Sequence, residues 1–178
     1  MDKRRETILV EAAVGGDIES FGILCEWYYA SMVAVAYSVI SDHQLAEDAA
    51  QETFAQALTN LRKLKDKSRF GYWLAAICRN VAKDMVTAKA RQVNSESASQ
   101  VQRDYDDDGN DVAIRRAIGE LPQRAKELVV LRYYDGLSYD EISAVLGISK
   151  GTINGRLTRA KQKLAEQLRR NGFLESQS

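Results

Sequence analysis

The sequence predicts an all-α protein: two small helical domains joined by a flexible acidic linker, the C-terminal one containing a helix-turn-helix. Three observations carry this. Apolar residues recur at helical spacing along most of the chain, with no convincing strand run. A single proline, Pro122, leaves few points at which a helix must break. Residues 92–111, QVNSESASQVQRDYDDDGND, are polar, serine-rich and acidic, and carry too few apolar side chains to order themselves. That stretch separates a domain at 1–91 from one at 112–171, followed by a short tail at 172–178.

Among 178 residues, 25 are basic and 25 acidic, for a formal net charge of zero. The charge is segregated, however. Residues 1–60 carry −7, 61–91 carry +7, 92–113 carry −5 and 114–178 carry +5. Two basic blocks separated by an acidic one make an electrostatic footprint for nucleic acid that a whole-chain average conceals. Cys25 and Cys78 lie within helical patterns without a CxxC spacing, and read as buried thiols of a reducing compartment. His43 has no ligand partner near it, so no metal and no cofactor is expected. The N-terminus lacks the apolar core of a signal peptide. The longest apolar stretch, Ala30 to Ile40, is interrupted by serines and falls short of a membrane span. No membrane insertion is expected, and the location is cytoplasmic.

In the first domain, Ile8, Leu9, Ala12 and Ala13 predict a short helix ending at Gly15-Gly16. Phe21, Leu24, Tyr28, Met32, Val35 and Val39 form the stripe of a long second helix, broken at Ser41-Asp42. A third helix runs from about Gln44 to Leu64 with Phe54, Leu58 and Leu61 inward. Lys65 to Ser68 is a basic loop. The fourth helix buries Phe70, Leu74, Ile77, Val81 and Met85.

The second domain opens with an amphipathic helix on Val112, Ile114, Ala117, Ile118 and Leu121. Pro122 suits the first position of the next helix, where its missing N–H costs nothing. Leu128, Val129 and Leu131 are that helix's core residues, and Asp135-Gly136 ends it. Ser138 and Glu141 then have the spacing of a capping box. Ile142, Val145 and Leu146 face inward, Gly147 takes the left-handed exit, Ile148 plugs the turn and Ser149 caps the last helix. Ile153, Leu157, Ala160, Leu164 and Leu168 form its buried stripe. From Lys150 to Arg170 there are seven bases and one acid, Glu166. Two helices joined by a short turn, the second basic, form a helix-turn-helix that presents a helix to the DNA major groove.

Three charged faces are candidate sites. Glu47, Asp48, Gln51 and Glu52 share one side of the third helix and make an acidic docking surface for a basic partner. Arg62, Lys63, Lys65, Lys67 and Arg69, followed by Arg79, Asn80 and Lys83 on the fourth helix, can grip phosphates and read base edges. Tyr72 adds aromatic surface beside them, while Phe70 and Trp73 fall near the apolar stripe and are assigned to the core. Ser149, Lys150, Thr152, Asn154, Arg156, Arg159 and Lys163 lie off the buried stripe of the last helix.

The segments LAEDAAQETF, SRFGYWLAAICRNVAKD and LPQRAKELVVLRYYDGLSYDEISAVLGISKGTINGRLTRAKQKL occur in this order. Together they resemble the extracytoplasmic-function (ECF) sigma factors of the bacterial sigma-70 family. The resemblance implies a region 2 domain at 1–91 and a region 4 domain at 112–171. It also implies a non-enzymatic function, in which core RNA polymerase is bound and directed to promoters. Glu47, Asp48, Gln51 and Glu52 would then meet the β′ clamp helices. The loop Arg62 to Arg69, with Arg79, Asn80 and Lys83, would engage the −10 element of promoter DNA and hold a base flipped from the stack. Unstacking costs only a few kcal/mol per step, so pocket binding can offset it without ATP hydrolysis. The last helix would read the −35 element, with the β flap as a further polymerase contact. An anti-sigma factor is an expected partner.

Elements about 25 base pairs apart are roughly 85 Å apart. Two domains of about 15 Å radius leave roughly 55 Å to bridge. A linker of about 20 residues reaches at most ~70 Å, and so is long enough when stretched. One departure from the family pattern is Asn154-Gly155, where larger polar or basic side chains are usual. Gly155 costs about 1 kcal/mol of helix propensity and either removes a base contact or lets the backbone approach DNA closely. Two other readings compete. One is an autonomous helix-turn-helix regulator that binds operators without polymerase. The other is a metal-dependent phosphodiesterase built on Asp106, Asp107 and Asp108, which lacks any His-carboxylate constellation.

Overall fold

The computed structural model describes residues 2–93 and 110–170, and every regular element among them is helical. The expected linker lies outside the described residues except for its first two and last two positions, which are helical. The aspartate run 106–108 and the tail also lie outside them. The chain divides into two compact units, Met1–Ala98 and Ser99–Ser178.

The N-terminal unit contains α1 (Lys3–Val14), α2 (Ile18–Ile40), α3 (His43–Asn60) and α4 (Phe70–Val93), with 3-10 turns at Leu61–Lys63 and Lys67–Arg69. Each corner has a local cause. Asp17 caps α2, accepting from the Glu19 N–H at 3.1 Å and the Ser20 hydroxyl at 2.6 Å. Ser41 takes a left-handed conformation, φ 58°, and Asp42 then caps α3 by accepting from the Leu45 N–H at 3.2 Å. α2 packs against α1, α3 and α4, and α3 packs against α4.

The buried faces match the predicted stripe in α2 and shift elsewhere. Phe21, Leu24, Met32 and Val35 are inside, joined by Ala36 and Ser38. In α3 the inner face is Ala46, Ala49, Ala50, Thr53 and Ala57, not Phe54 and Leu58; Leu58 is 45% exposed. Small side chains let this helix lie close to its neighbours, so the bulkier residues are left at the edge. Thr53 is fully buried because its hydroxyl donates to the Ala49 carbonyl at 2.6 Å. The third helix also stops at Asn60 rather than Leu64, and Leu61 is buried from within the following turn. In α1 the buried residues are Glu6, Val10 and Ala13, while Ile8 is 57% exposed. A stripe sought among apolar residues alone passes over the glutamate. In α4, Phe70, Leu74 and Val81 are buried, joined by Ala75, Cys78 and Ala82, but Ile77 and Met85 are only half-buried.

Cys78 is buried as expected, with its thiol donating to the Met32 carbonyl at 3.2 Å. Cys25 is only half-buried; desolvation, then the neighbouring Glu26 charge, pushes its thiol up to about 11. Residues 23, 27, 30, 34 and 37 give α2 a second apolar face, on which Ile23, Trp27 and Tyr37 are exposed. With both faces apolar, α2 has the length and composition of a membrane span, contrary to the sequence expectation. Its packing against three helices makes it the central helix of a bundle.

The C-terminal unit contains α5 (Asn110–Gly119), α6 (Gln123–Val129), a wider π turn at Val130–Tyr134, α7 (Tyr139–Leu146) and α8 (Lys150–Arg170). Pro122 is the cap preceding α6 rather than its first residue. Leu128, Val129 and Leu131 are buried as predicted, whereas Ile114 is 41% exposed. The π turn closes with the Asp135 N–H on the Val130 carbonyl at 3.1 Å. Gly136 reverses the chain at φ 67°, and the Arg132 guanidinium seals the bend by donating to the Leu137 carbonyl at 2.8 Å. The capping box of Ser138 and Glu141 is complete, and Gly147 exits α7 at φ 67°. The Ser143 hydroxyl ties the turn together by donating to the Ile148 carbonyl at 2.7 Å.

Gly71 is buried at the start of α4, and a Cβ there would lie 2.7 Å from the Tyr28 hydroxyl oxygen and 3.1 Å from its ring. Because the whole ring must move, Gly71→Ala is expected to destabilise the protein by about 1–3 kcal/mol in urea melts.

Candidate nucleic-acid interface

The basic loop after α3 is ordered by its own hydrogen bonds. Asp66 caps the second 3-10 turn, accepting from the Ser68 N–H at 3.1 Å and the Ser68 hydroxyl at 2.6 Å. The Ser68 hydroxyl bond is the main cause holding the Asp66 carboxyl below its usual range. Lys67 turns inward and donates to the Leu64 carbonyl. The one acid in the loop is therefore a staple, and Lys67 is bound to backbone. Arg62, Lys63, Lys65 and Arg69 are exposed, with the Lys63 ammonium donating to the Asn60 side chain at 2.7 Å.

The loop joins α4 at Arg69. The Arg69 guanidinium lies over the Tyr72 ring, 4.4 Å from its centroid. At about 100° per residue, Tyr72, Arg79 and Lys83 fall on one row of α4, with Asn80 beside it. Asn80 and Lys83 are exposed, and Arg79 is half-buried. The structure thus brings the two predicted groups to one continuous side of the unit. Sequence reading missed that Arg69 covers the face of Tyr72, a pairing that only the turn at Lys67–Arg69 creates. Phe70 is fully buried with its ring against Tyr28, as its assignment to the core requires, whereas Trp73 beside it is only half-buried.

On α3, Asp48, Gln51 and Glu52 are exposed and Glu47 is half-exposed. Glu47 lies 3.4 Å from the His43 ring nitrogen, and Glu52 accepts from the Gln56 amide at 2.9 Å. Leu58 continues the Glu47–Gln51 row and lines an open cleft with Ile18, Val14 and Leu61 at the end of the bundle.

The face of α8 divides into two rows. Thr152, Arg156, Arg159 and Lys163 recur at steps of four, three and four, whereas Asn154 points about 200° away from Arg156. Ser149 is consumed as the cap, accepting from the Thr152 N–H at 3.2 Å, and its hydroxyl shares a 2.9 Å hydrogen bond with that of Thr152. Lys150 pairs with Asp140 at 2.7 Å, and the Tyr139 hydroxyl sits 3.5 Å from Asn154, tying that row to α7. Arg159 folds back to donate to the Gly155 carbonyl at 3.1 Å. Its guanidinium occupies the space beside Gly155, where a Cβ would meet it at 3.8 Å. Lys163 reaches the Glu120 carbonyl at 3.5 Å. A further cation, Lys161, lies 5.1 Å from the Tyr133 ring centroid, and the Tyr133 hydroxyl raises its pKa. Among the described residues no cluster of His, Cys, Asp or Glu could hold a metal ion.

Comparison with known proteins identifies the family. Residues 24–92 match Sigma-70 region 2, and residues 111–164 match Sigma-70, region 4. The ECF RNA polymerase sigma factor EcfG of Rhodopseudomonas palustris is 30% identical over 78% of this chain and 79% of its own length. The RNA polymerase sigma-H factor of Pseudomonas aeruginosa is 27% identical over 94% of this chain and 96% of its own. CnrH, solved in complex with the cytosolic domain of CnrY, is 26% identical and superposes with a TM-score of 0.63 over 92% of this chain and 97% of CnrH. The chain belongs to the extracytoplasmic-function group of the sigma-70 family, and it is an RNA polymerase sigma factor with regions 2 and 4.

Asp135, at the end of the π turn, has both carboxylate oxygens buried without a hydrogen-bond partner among the described residues. Burial pushes its pKa up to about 8. An unfolded aspartate titrates near ~3.9, so the folded state retains a proton that the unfolded state releases. The contribution of Asp135 to stability is therefore full below about pH 4, falls as pH rises toward about 8, and is flat above that. Asp135→Asn is expected to remove this slope: its thermal melts should match wild type near pH 4 and exceed it at pH 8 and above.

Proposed function

We propose that this sigma factor divides its work among the three surfaces. The acidic side of α3, with Glu47, Asp48, Gln51 and Glu52, docks on the β′ clamp helices of core polymerase. The basic loop Arg62 to Arg69 and the α4 row with Arg79, Asn80 and Lys83 engage the −10 element and hold a flipped base. The row Thr152, Arg156, Arg159 and Lys163 on α8 reads the −35 element, with Ser149 and Lys150 setting the start of that helix and Asn154 flanking it. The C-terminal unit also meets the β flap. An anti-sigma factor occupies the same surfaces in the inactive state, in keeping with CnrH having been solved bound to CnrY. The chain does no bond-making of its own and works in the cytoplasm, with polymerase on the nucleoid.

The observation that carries the −10 assignment is the Arg69–Tyr72 contact, which joins loop and helix into one basic side. Unstacking a base costs a few kcal/mol, and a loop already held by its own hydrogen bonds spends less binding energy on ordering itself.

Gel shifts with and without core polymerase test the whole. Promoter DNA should shift specifically only when polymerase is present; tight specific binding by the chain alone would favour an autonomous regulator instead. Replacing Glu47 and Glu52 together by lysine is expected to abolish competition for core polymerase while leaving the melting profile of the free protein intact. Arg156→Ala is expected to cost about 1–3 kcal/mol of −35 discrimination in run-off transcription on a promoter library.

A further inference from the structure

α1 packs against both 3-10 turns that flank the basic loop. Its first turn carries an ion pair between the Lys3 ammonium and Glu6 Oε2 at 3.3 Å, with the lysine side chain 74% exposed and the glutamate 5% exposed. The same ammonium lies 3.5 Å from the Ser68 carbonyl oxygen, a contact across 65 residues of sequence. The second oxygen, Glu6 Oε1, is buried and has no hydrogen-bond partner among the described residues. Glu6 occupies the stripe it shares with Val10 and Ala13, where an apolar side chain would satisfy packing alone. A carboxylate kept there at the expense of desolvation needs another reason.

Ser68 supplies that reason. Its N–H and hydroxyl are held by Asp66 inside the loop, and the next residue, Arg69, reaches over Tyr72. Its carbonyl is where α1 grips the loop from outside. We propose that Glu6 and Lys3 are positioning residues for −10 recognition: the buried carboxylate fixes the ammonium, and the ammonium fixes the Ser68 carbonyl. That sets the angle at which Lys65 and Arg69 meet DNA. Neither residue need touch DNA itself. The inference rests on the reading that the loop engages the −10 element.

The test is run-off transcription with core polymerase on a library permuting each −10 base, alongside measurement of core-polymerase affinity and thermal melts. Lys3→Gln and Glu6→Gln are expected to narrow the spread of initiation rates among −10 bases by about threefold, the scale of one solvent-touched ion pair. Core affinity and −35 discrimination should not change. Lys3→Arg, which keeps the cation, should restore the spread. Lys3 is exposed, so Lys3→Gln remains decisive even if Glu6→Gln fails to fold. Unchanged −10 discrimination in Lys3→Gln, or equal loss of −10 and −35 discrimination, overturns the proposal. Arg69→Ala and Lys65→Ala serve as controls. If they alter −10 discrimination and the Lys3 variant does not, positioning fails while the loop assignment stands. If neither control alters it, the loop assignment fails first and the positioning role with it.

Discussion

Close approach along the small-residue face of α3 is the constraint on which the N-terminal unit depends. Ala46, Ala49, Ala50, Thr53 and Ala57 are all fully buried. Methyl groups of this size let α3 lie against both α2 and α4, so one helix serves two interfaces. Because so little side chain is needed to fill that side, the opposite side is free to carry Glu47, Asp48, Gln51 and Glu52. The close packing also places the C-terminal end of α3 where the chain can turn through Leu61 and return as α4 with the basic loop between them. Acidic face and basic loop are thus two outcomes of one packing arrangement.

The two units order their basic surfaces by different means. In the C-terminal unit, short-range caps position α8: the Ser138–Glu141 box, the left-handed Gly147 and the Ser149 cap. In the N-terminal unit the basic loop is stapled within itself by Asp66 and joined to α4 by Arg69 over Tyr72. Either device orders cationic side chains before the partner arrives, which reduces the entropy lost on binding. The Asp135 carboxyl stands apart, since it is buried next to the helix-turn-helix with no hydrogen bond among the described residues to offset its desolvation.

Much of this was legible from residues near one another in the chain. The caps and turn of the helix-turn-helix were read correctly because capping boxes and glycine exits depend on short spacings, as does the buried stripe of α8, which holds from Ile153 to Ala160 and is only half-buried at Leu164 and Leu168. The buried face of α2 was read for the same reason. The inner faces of α1 and α3 were misread because bulk stood in for burial. Ile8 and Leu58 looked like core, yet Glu6 and a row of alanines hold those places. The candidate side chains were named without their differing circumstances, and Lys161 was not among them. Lys67 is bound to backbone, Lys150 is paired with Asp140, and Asn154 faces away from Arg156.

The sequence by itself determined the helical class, the helix-turn-helix with its caps, the alternation of charged blocks and the family resemblance. All of these reside in local spacing and composition, which survive in the unfolded chain. The tertiary structure decided which side of each helix is buried, that the basic loop abuts the α4 row through Arg69 and Tyr72, and that Lys3 reaches Ser68 from the far end of the unit. The buried sides depend on how closely alanine-faced helices approach, the Lys3–Ser68 contact spans 65 residues, and the Arg69–Tyr72 pairing, though only local, depends on the 3-10 turn that precedes α4; no helical periodicity encodes any of the three.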